Sequence, residues 1–271
     1  MIVATILAIS MAGQGRSFGE SKPFVSLAEK AIDESSGIAA SLTHKGSFWT
    51  HNDDGKVAEA WRFDAAGIKQ KVELSGIPNR DMEDMASCKL NGKNFLYLAD
   101  IGDNNARYSQ VWVYRWEETG ATTVNQVDRF EIAYDSGPMN AEAFFVDGKS
   151  GDFWIIEKGQ ADAARLLKVV NPKPGKNIAK KVGQLKLGIS LPPARLITGA
   201  GLSPDGKHVV IRTYFQGFEY KFGPNWFDQK PSQFQMPNES QGEAICYSAD
   251  GKSIFTSSEG TPCKVSQIAV R

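Results

Sequence analysis

The feature that most constrains the fold is a short motif that recurs along the chain. A polar residue, often a carboxylate, opens an apolar strand, a turn follows, and a second apolar strand ends on another polar residue. The clear copies run from Glu83 to Asp100, from Glu142 to Glu157 and from Glu243 to Glu259, and weaker copies run from Ser36 to Asn52 and from Thr198 to Arg212. The two polar residues are 14 to 17 positions apart, and the copies begin 45 to 59 residues apart. A fixed spacing of this kind indicates a repeated supersecondary unit.

A repeat of this length, with alternating apolar residues and tight turns such as Asn91-Gly92, is typical of the four-stranded blade of a β-propeller. The sequence therefore predicts an all-β fold, a single propeller with five blades of four antiparallel strands. Six blades remain the alternative if residues 177–200 form a degenerate blade. The fifth unit reaches the C-terminus after three strands. We expect an N-terminal strand around residues 24–27 to supply its fourth strand and close the ring.

The segments outside the repeats predict the domain organisation. Residues 1–12 are a short apolar run ending in small residues, which indicates a signal peptide and export to the periplasm or the extracellular medium. Residues 13–22 are predicted to be a linker, and residues 23–271 a single propeller domain. The apolar run is too short to cross a bilayer, so no transmembrane segment is expected.

The bulk composition excludes some classes of partner. Lys and Arg together number 31, as do Asp and Glu, so no net field favours nucleic acid. We expect a monomer that takes a small-molecule or ester ligand and does not bind nucleic acid. The three cysteines, Cys88, Cys246 and Cys263, are not spaced as a metal site, and they are predicted to be buried free thiols.

The repeat also predicts where the chemistry lies, because the first strand of each blade lines the channel of a propeller. Placing the copies in register gives two rings of polar side chains around a central funnel. The first ring comprises Ser36, Glu83, Glu142, Thr198 and Glu243, and the second comprises Asn52, Asp100, Glu157, Arg212 and Glu259.

So many carboxylates in one funnel raise one another's pKa unless a cation compensates them. Oxygen ligands of this kind suit Ca²⁺. The metal-ligand candidates are therefore Glu83, Glu142, Glu243, Asp100, Glu259 and Asn52, with Ca²⁺ as the expected cofactor. A structural alternative stays open, in which the three glutamates form hydrogen bonds that join neighbouring blades.

Three residues are candidates for catalytic roles. Arg212 is the cation of the second ring and would stabilise developing negative charge, although an ion pair with Glu157 or Glu259 is the alternative. Glu157 is a carboxylate that would activate water, and His51 borders the ring as a proton carrier.

Several of these segments, taken together, resemble exported bacterial β-propeller proteins of mostly unassigned function. The resemblance is carried by Asp81-Met-Glu-Asp-Met-Ala, Leu98-Ala-Asp-Ile-Gly-Asp-Asn104, Asn140-Ala-Glu-Ala and Gln241-Gly-Glu-Ala, among others, and covers about residues 30–271. The group is similar to phytase-like and esterase-like propellers, and this likeness implies an acidic funnel and calcium. The chain departs from phytase-like propellers in its blade count and in having few cations near the rings.

Two functions follow as expectations. The first is an exported propeller whose acidic funnel binds a divalent cation, calcium, and which serves as a binding or scaffold module. The alternative is a calcium-dependent hydrolase of phosphate or carboxyl esters. No nucleophile–base pair is visible in the sequence, which favours the binding module and leaves the question of an enzyme open.

Overall fold

The computed structural model describes residues 16–159, 163–189 and 191–271. The predicted signal peptide lies outside these residues. The predicted linker is corrected in part, because residues 18–22 belong to the first strand, β1 (Phe18–Leu27). Within the described residues, no helix is long and apolar enough to cross a membrane.

The strands that follow β1 form successive antiparallel units. The first unit contains β2 (Ser35–Ala40), β3 (Phe48–Asn52), β4 (Glu59–Asp64) and β5 (Gly67–Leu74). The second contains β6 (Met82–Leu90), β7 (Lys93–Asp100), β8 (Val111–Glu117) and, after the short β9 (Thr123–Val124), β10 (Asp128–Tyr134). The third contains β11 (Ala141–Val146), β12 (Phe153–Glu157), β13 (Ala164–Val169) and β14 (Gly175–Leu185).

The fourth and last units complete the chain. A one-turn helix, α1 (Pro192–Arg195), precedes β15 (Ile197–Leu202), β16 (His208–Thr213) and β17 (Gln216–Lys221). A 3₁₀ turn at Trp226–Asp228 then leads to β18 (Ser232–Gln235), which is the outer strand of the fourth unit. The last unit contains β19 (Gly242–Tyr247), β20 (Ser253–Ser258) and β21 (Cys263–Val270).

β1 provides the outer strand of the last unit, as predicted, by pairing antiparallel with β21 from Phe18 opposite Val270 to Leu27 opposite Cys263. This pairing joins the two ends of the described chain in one sheet. The second and third units are also joined, because their outer strands β10 and β14 pair in parallel and make one eight-stranded sheet.

The first strands of the units lie side by side around a common axis. β2 contacts β6, β6 contacts β11, β11 contacts β15, β15 contacts β19, and β19 contacts β2. The cycle is closed, so these inner strands surround a channel, and each has one edge turned away from its own sheet.

The core lies between neighbouring units as a series of separate apolar clusters. Phe48 of the first unit stacks against Phe255 of the last with ring centroids 4.1 Å apart, and Tyr97 of the second unit meets Phe153 of the third at 5.7 Å. Large apolar residues on both faces of each sheet are therefore used to hold the units together. Cys88, Cys246 and Cys263 are free and buried in these clusters, as predicted.

Candidate functional site

Each inner strand has a β-bulge near its first residue, where the pairing with the second strand slips by one position. The five bulged residues are those of the predicted first ring: Ser36, Glu83, Glu142, Thr198 and Glu243. A bulge leaves a residue out of the ladder and re-aims its side chain. All five side chains are buried. The same local device thus brings three glutamates to one end of the channel.

Lys158 is the cation among these glutamates. It follows β12 directly, and its Nζ lies 2.6 Å from Glu142 Oε1, which also accepts a hydrogen bond from Asn140 Nδ2 at 2.9 Å. Its ammonium group lies over the ring of Tyr214, 5.9 Å from the centroid. Burial alone would lower the pKa of Lys158, but Glu142 raises it above its usual value. The lysine is therefore charged and does not act as a nucleophile.

The other two bulge glutamates have no such compensation. The side chain of Glu243 is 4% exposed and has no hydrogen-bond or ion-pair partner in the described chain. Burial, together with the charge of Glu142, raises the pKa of Glu243 to about 8, against a smaller opposing effect of Lys158. Glu83 accepts a long hydrogen bond from Ser36 Oγ at 3.4 Å and shares a hydrogen bond with the carboxyl group of Asp81, and burial followed by the charges of Glu142 and Asp81 raises its pKa well above the ordinary value.

Further acids surround these three. Burial raises the pKa of Asp53 to about 7, with added repulsion from Glu34 and Glu259, and burial also raises the pKa of Glu259 and of Asp81. We call the interacting side chains the carboxylate cluster; its members are Asp53, Asp81, Glu83, Glu142, Glu243 and Glu259. Gly102 packs against it, because a Cβ at that position would stand 2.3 Å from Asp81 Cγ.

The predicted second ring is only partly correct in register. The residues that face the strand starts are Asn52, Asp100, Glu157, Thr213 and Ser258. Arg212 and Glu259 are therefore each one position away from their expected places. The bulge is the same in all five units, but the facing residue lies 15 to 17 positions after the bulged one, so spacing alone does not fix which residue faces the strand start.

Members of the predicted second ring have local partners. Asp100 is ion-paired with Arg80 at 3.0 Å, and Glu157 with Arg165 at 2.8 Å. Asn52 donates a hydrogen bond from Nδ2 to the carbonyl of Ala31 at 2.8 Å. Burial still raises the pKa of Asp100 to about 6, although Arg80 opposes this. These contacts tie loops to strand ends, and they take Asp100, Glu157 and Asn52 out of the carboxylate cluster.

Arg212 and His51 occupy equivalent positions, one residue before the end of the second strand, and both are fully buried. Arg212 pairs with Glu239 at 2.8 Å and donates to the carbonyl of Ala244, so its partner is neither Glu157 nor Glu259. Burial lowers the pKa of His51 to about 4, and its Nε2 has no hydrogen-bond partner. Neither side chain is accessible in this arrangement, and their catalytic roles stay predictions.

The sequence reasoning missed residues that follow the second strands. In four units, the residue directly after the last paired residue of the second strand was not predicted as a site residue at its correct level. These residues are Lys158, Tyr214, Asp53 and Glu259. A repeat alignment shifted by one position would have found this level of the channel.

Asp84 lies deeper in the channel and is completely buried. Its Oδ2 accepts the backbone N–H groups of Phe144 at 2.8 Å and Ala200 at 3.2 Å, and its Oδ1 accepts that of Met85 at 2.8 Å. Burial raises the pKa of Asp84, and the three N–H donors oppose that effect. One carboxylate therefore bridges the inner strands of three units.

Within residues 16–159, 163–189 and 191–271, no group of three or more His, Cys, Asp or Glu side chains is arranged to hold a metal ion. The carboxylate oxygens are the right donors for a hard cation, but they are dispersed around Lys158.

Comparison with known proteins defines the class of fold. No protein-family model matches the chain, and no curated protein is similar to it in sequence. Among solved structures, the PQQ-bound aldose sugar dehydrogenase from Streptomyces coelicolor is similar over 93% of this chain and 98% of its own, with a TM-score of 0.50 and 12% identity. A glucose dehydrogenase is similar over 92% of this chain and 98% of its own, with a TM-score of 0.50 and 9% identity.

These neighbours are β-propellers, and at such low identity the likeness concerns the fold alone. The chain is therefore a β-propeller, as the repeat predicted.

Proposed function

We propose that this β-propeller is a binding module that takes a cation at the carboxylate cluster, with Ca²⁺ as the first ion to test. The observation that carries the proposal is Glu243, a buried carboxylate without a partner beside Glu142 and Lys158. An unpaired buried charge is costly. A cation in the funnel formed by the cluster would remove that cost.

The spacing of the acids limits how an ion binds. No three of the described carboxylates stand within reach of one ion, so binding of Ca²⁺ requires Glu83 and Glu243 to move toward Glu142. Lys158 competes for the same oxygens. We therefore expect moderate affinity and release of protons on binding, because the pKa values of Glu83 and Glu243 are raised in the free protein.

The test compares thermal unfolding with CaCl₂ and with chelator at pH 7.5. We expect Ca²⁺ to raise the Tm of the natural protein and Glu243→Gln to abolish the shift. Glu73→Gln, on an exposed position of β5, is the matched control and should keep the shift. If neither calcium nor chelator changed the Tm of any of the three proteins, Ca²⁺ would be excluded as the ligand of the carboxylate cluster. Calorimetry with MgCl₂ and with primary amines would then decide whether any cation binds.

We also infer that the propeller has five blades, a count supported by the closed cycle of inner strands β2, β6, β11, β15 and β19. Each of these strands starts one unit of four strands, the short β9 adds in parallel to the outer strand of the first unit, and β1 completes the last unit.

A second candidate function is hydrolysis of phosphate or carboxyl esters. It is favoured by the pKa of Glu243, which at about 8 suits a group that accepts and returns a proton near neutral pH. Lys158, rather than the buried Arg212, is the cation near this group. Turnover of ester substrates that is lost in Glu243→Gln would favour the hydrolase, whereas calcium binding without turnover would favour the binding module.

The cofactor of the sugar dehydrogenase does not fit these residues. PQQ carries several carboxylates, and the cluster offers one lysine that is already paired with Glu142.

A further inference from the structure

The end of the channel opposite the carboxylate cluster contains a cavity of about 260 Å³. All five inner strands contribute their last residues to it, and its wall is mostly apolar. Residues that line its depth are Ile38, Met85, Cys88, Phe145, Leu202 and Cys246. We call it the axial cavity. Engineered cavities of ~150 Å³ hold benzene, so this one has room for an apolar body of roughly eight to ten carbon atoms.

The strands present backbone donors to the axial cavity. In an antiparallel ladder, alternate residues direct their N–H and C=O groups away from the partner strand. The bonds from Phe144 and Ala200 to Asp84 identify the residues whose groups face the channel. Val146 and Leu202 lie two positions further along the same two strands, so their backbone groups have the same direction, and both residues line the axial cavity. The chain's own Asp84 thus demonstrates that these strand edges bind a carboxylate.

The rim of the axial cavity carries positive charge that is not compensated. Lys89 and Lys149 lie at the rim, and neither ammonium group has an ion pair or hydrogen bond in the described chain. Two carboxylates lie near the rim, and both accept local hydrogen bonds. Asp205 accepts from Ser203 Oγ at 2.6 Å and lies 3.8 Å from Lys207 Nζ, and Asp147 accepts from the backbone N–H of Lys149 and from Ser150 Oγ, each at 2.9 Å. The rim is therefore suited to an anion.

We propose that the axial cavity binds a small anionic amphiphile, a monocarboxylic acid whose hydrocarbon body fills the cavity while its carboxylate meets Lys89 and Lys149 at the rim or the strand-edge N–H groups inside. The placement at the rim selects a carboxylate over an amine, because the two lysines there carry positive charge. The site is separate from the carboxylate cluster, since Asp84 and the three strands that it bridges lie between them. The thiol of Cys88 does not react with such a ligand, because burial raises its pKa to about 12.

Calorimetric titration with octanoate, octylamine and 1-octanol tests the selectivity, at concentrations below those that form micelles. We expect saturable binding of octanoate with a stoichiometry of one, weaker binding of octanol and no binding of octylamine. The double variant Lys89→Gln/Lys149→Gln should bind octanoate about threefold more weakly, as expected for exposed charges, with octanol unchanged. Octylamine that binds as well as octanoate, or octanoate that does not bind, would overturn the proposal.

Gly148→Phe tests the location. Gly148 lines the mouth, its backbone is outside the left-handed region, and a Cβ there would meet only Cys88 Sγ at 3.8 Å. The new ring should cover the mouth and lower octanoate affinity by about tenfold or more, since it removes most of the buried ligand contact. Gly120→Phe is the matched control, because a Cβ at this exposed glycine meets nothing within 4 Å. Equal affinity in both variants would place the ligand elsewhere.

Cys88→Ala provides an independent check that does not block the mouth. It enlarges the axial cavity, so decanoate should gain affinity relative to octanoate. An unchanged preference for chain length would contradict the assignment of the hydrocarbon body to this cavity. Glu243→Gln should leave octanoate binding as it is, so that loss of the cation site and loss of this site are separate results.

Discussion

The two ends of the channel are built by the same five strands and yet have opposite chemistry. At the end where the inner strands begin, the carboxylate cluster surrounds Lys158. At the end where they finish, the axial cavity is mostly apolar, and its uncompensated charges are Lys89 and Lys149 among the described lining residues. The fold alone therefore does not set the character of either end.

The difference arises from one local device. A bulge at the start of each inner strand turns one side chain, such as Glu83 or Glu243, toward the others. Further along, the strands pair regularly, so most side chains pack between neighbouring units, and the backbone edges face the channel beside the apolar residues that line the axial cavity. Substitution of the five bulged residues can thus change the chemistry of the first end, whereas the chemistry of the second end depends on all the residues that line the axial cavity.

Asp84 separates the two ends, and its removal should have the largest effect. Asp84→Ala leaves the N–H groups of Phe144, Ala200 and Met85 without their acceptor. We expect the free energy of unfolding to fall by about 4 kcal/mol, measured by urea denaturation.

Asp84→Asn is the informative companion, because its carbonyl oxygen still accepts hydrogen bonds. We expect about half of the loss seen with alanine. If Asp84→Ala were as stable as the natural protein, the bridge between the three units would not hold them together, and the two ends would not be separated by it.

Much of this arrangement could be predicted from the sequence because each copy of the repeat carries the residue pattern that its strands and turns require. Alternating apolar residues and glycine turns specify strands, and the recurrence of Glu83, Glu142 and Glu243 at the same point of the motif implies equivalent places in their units. The addition of an N-terminal strand to the last unit followed from the missing fourth strand, and β1 occupies that place.

The failures concern positions that spacing does not fix. The number of residues between the bulged residue and the facing residue varies from unit to unit, so the sequence predicts Arg212 in the ring, whereas Thr213 faces the strand start and Tyr214 and Lys158 stand nearer the cluster. Ion pairs that sequester Asp100 and Glu157 involve Arg80 and Arg165, which lie outside the motif. No spacing rule reveals that such partners come from neighbouring loops and strands.

The second-largest effect is expected in the pH dependence of stability, which should distinguish the two ends of the channel. The pKa of Glu243 is about 8 in the folded protein and 4.5 as its reference value. The folded state therefore binds more protons between these limits, and the free energy of unfolding decreases as pH rises from about 4.5 to about 8. Glu243→Gln lacks this loss, so at pH 8.5 it should be more stable than the natural protein by about 2 kcal/mol, and close to it at pH 4.

Urea denaturation at a series of pH values measures this difference. Glu73→Gln is the control and should follow the natural protein throughout, because its side chain is exposed. Equal stability of Glu243→Gln and the natural protein at pH 8.5 would mean that Glu243 is solvated, and the contrast in charge between the two ends would then be weaker than described.

The smallest effect is expected for the lysine that moderates the carboxylate cluster. Lys158→Gln removes the ion pair with Glu142, whose carboxylate keeps the hydrogen bond from Asn140. We expect a loss of about 1 kcal/mol at pH 8 and less at pH 5, where a larger share of the neighbouring acids is protonated and the missing cation matters less.

Lys158→Arg keeps the charge and should recover most of that loss. If Lys158 competes with an external cation, Lys158→Gln should also bind Ca²⁺ about threefold more tightly than the natural protein, since the same oxygens are no longer shared. A lower calcium affinity in Lys158→Gln would instead assign the lysine a supporting role, as the residue that holds Glu142 in position for the ion. In either case octanoate binding should not change, because no contact of Lys158 reaches the axial cavity within the described residues.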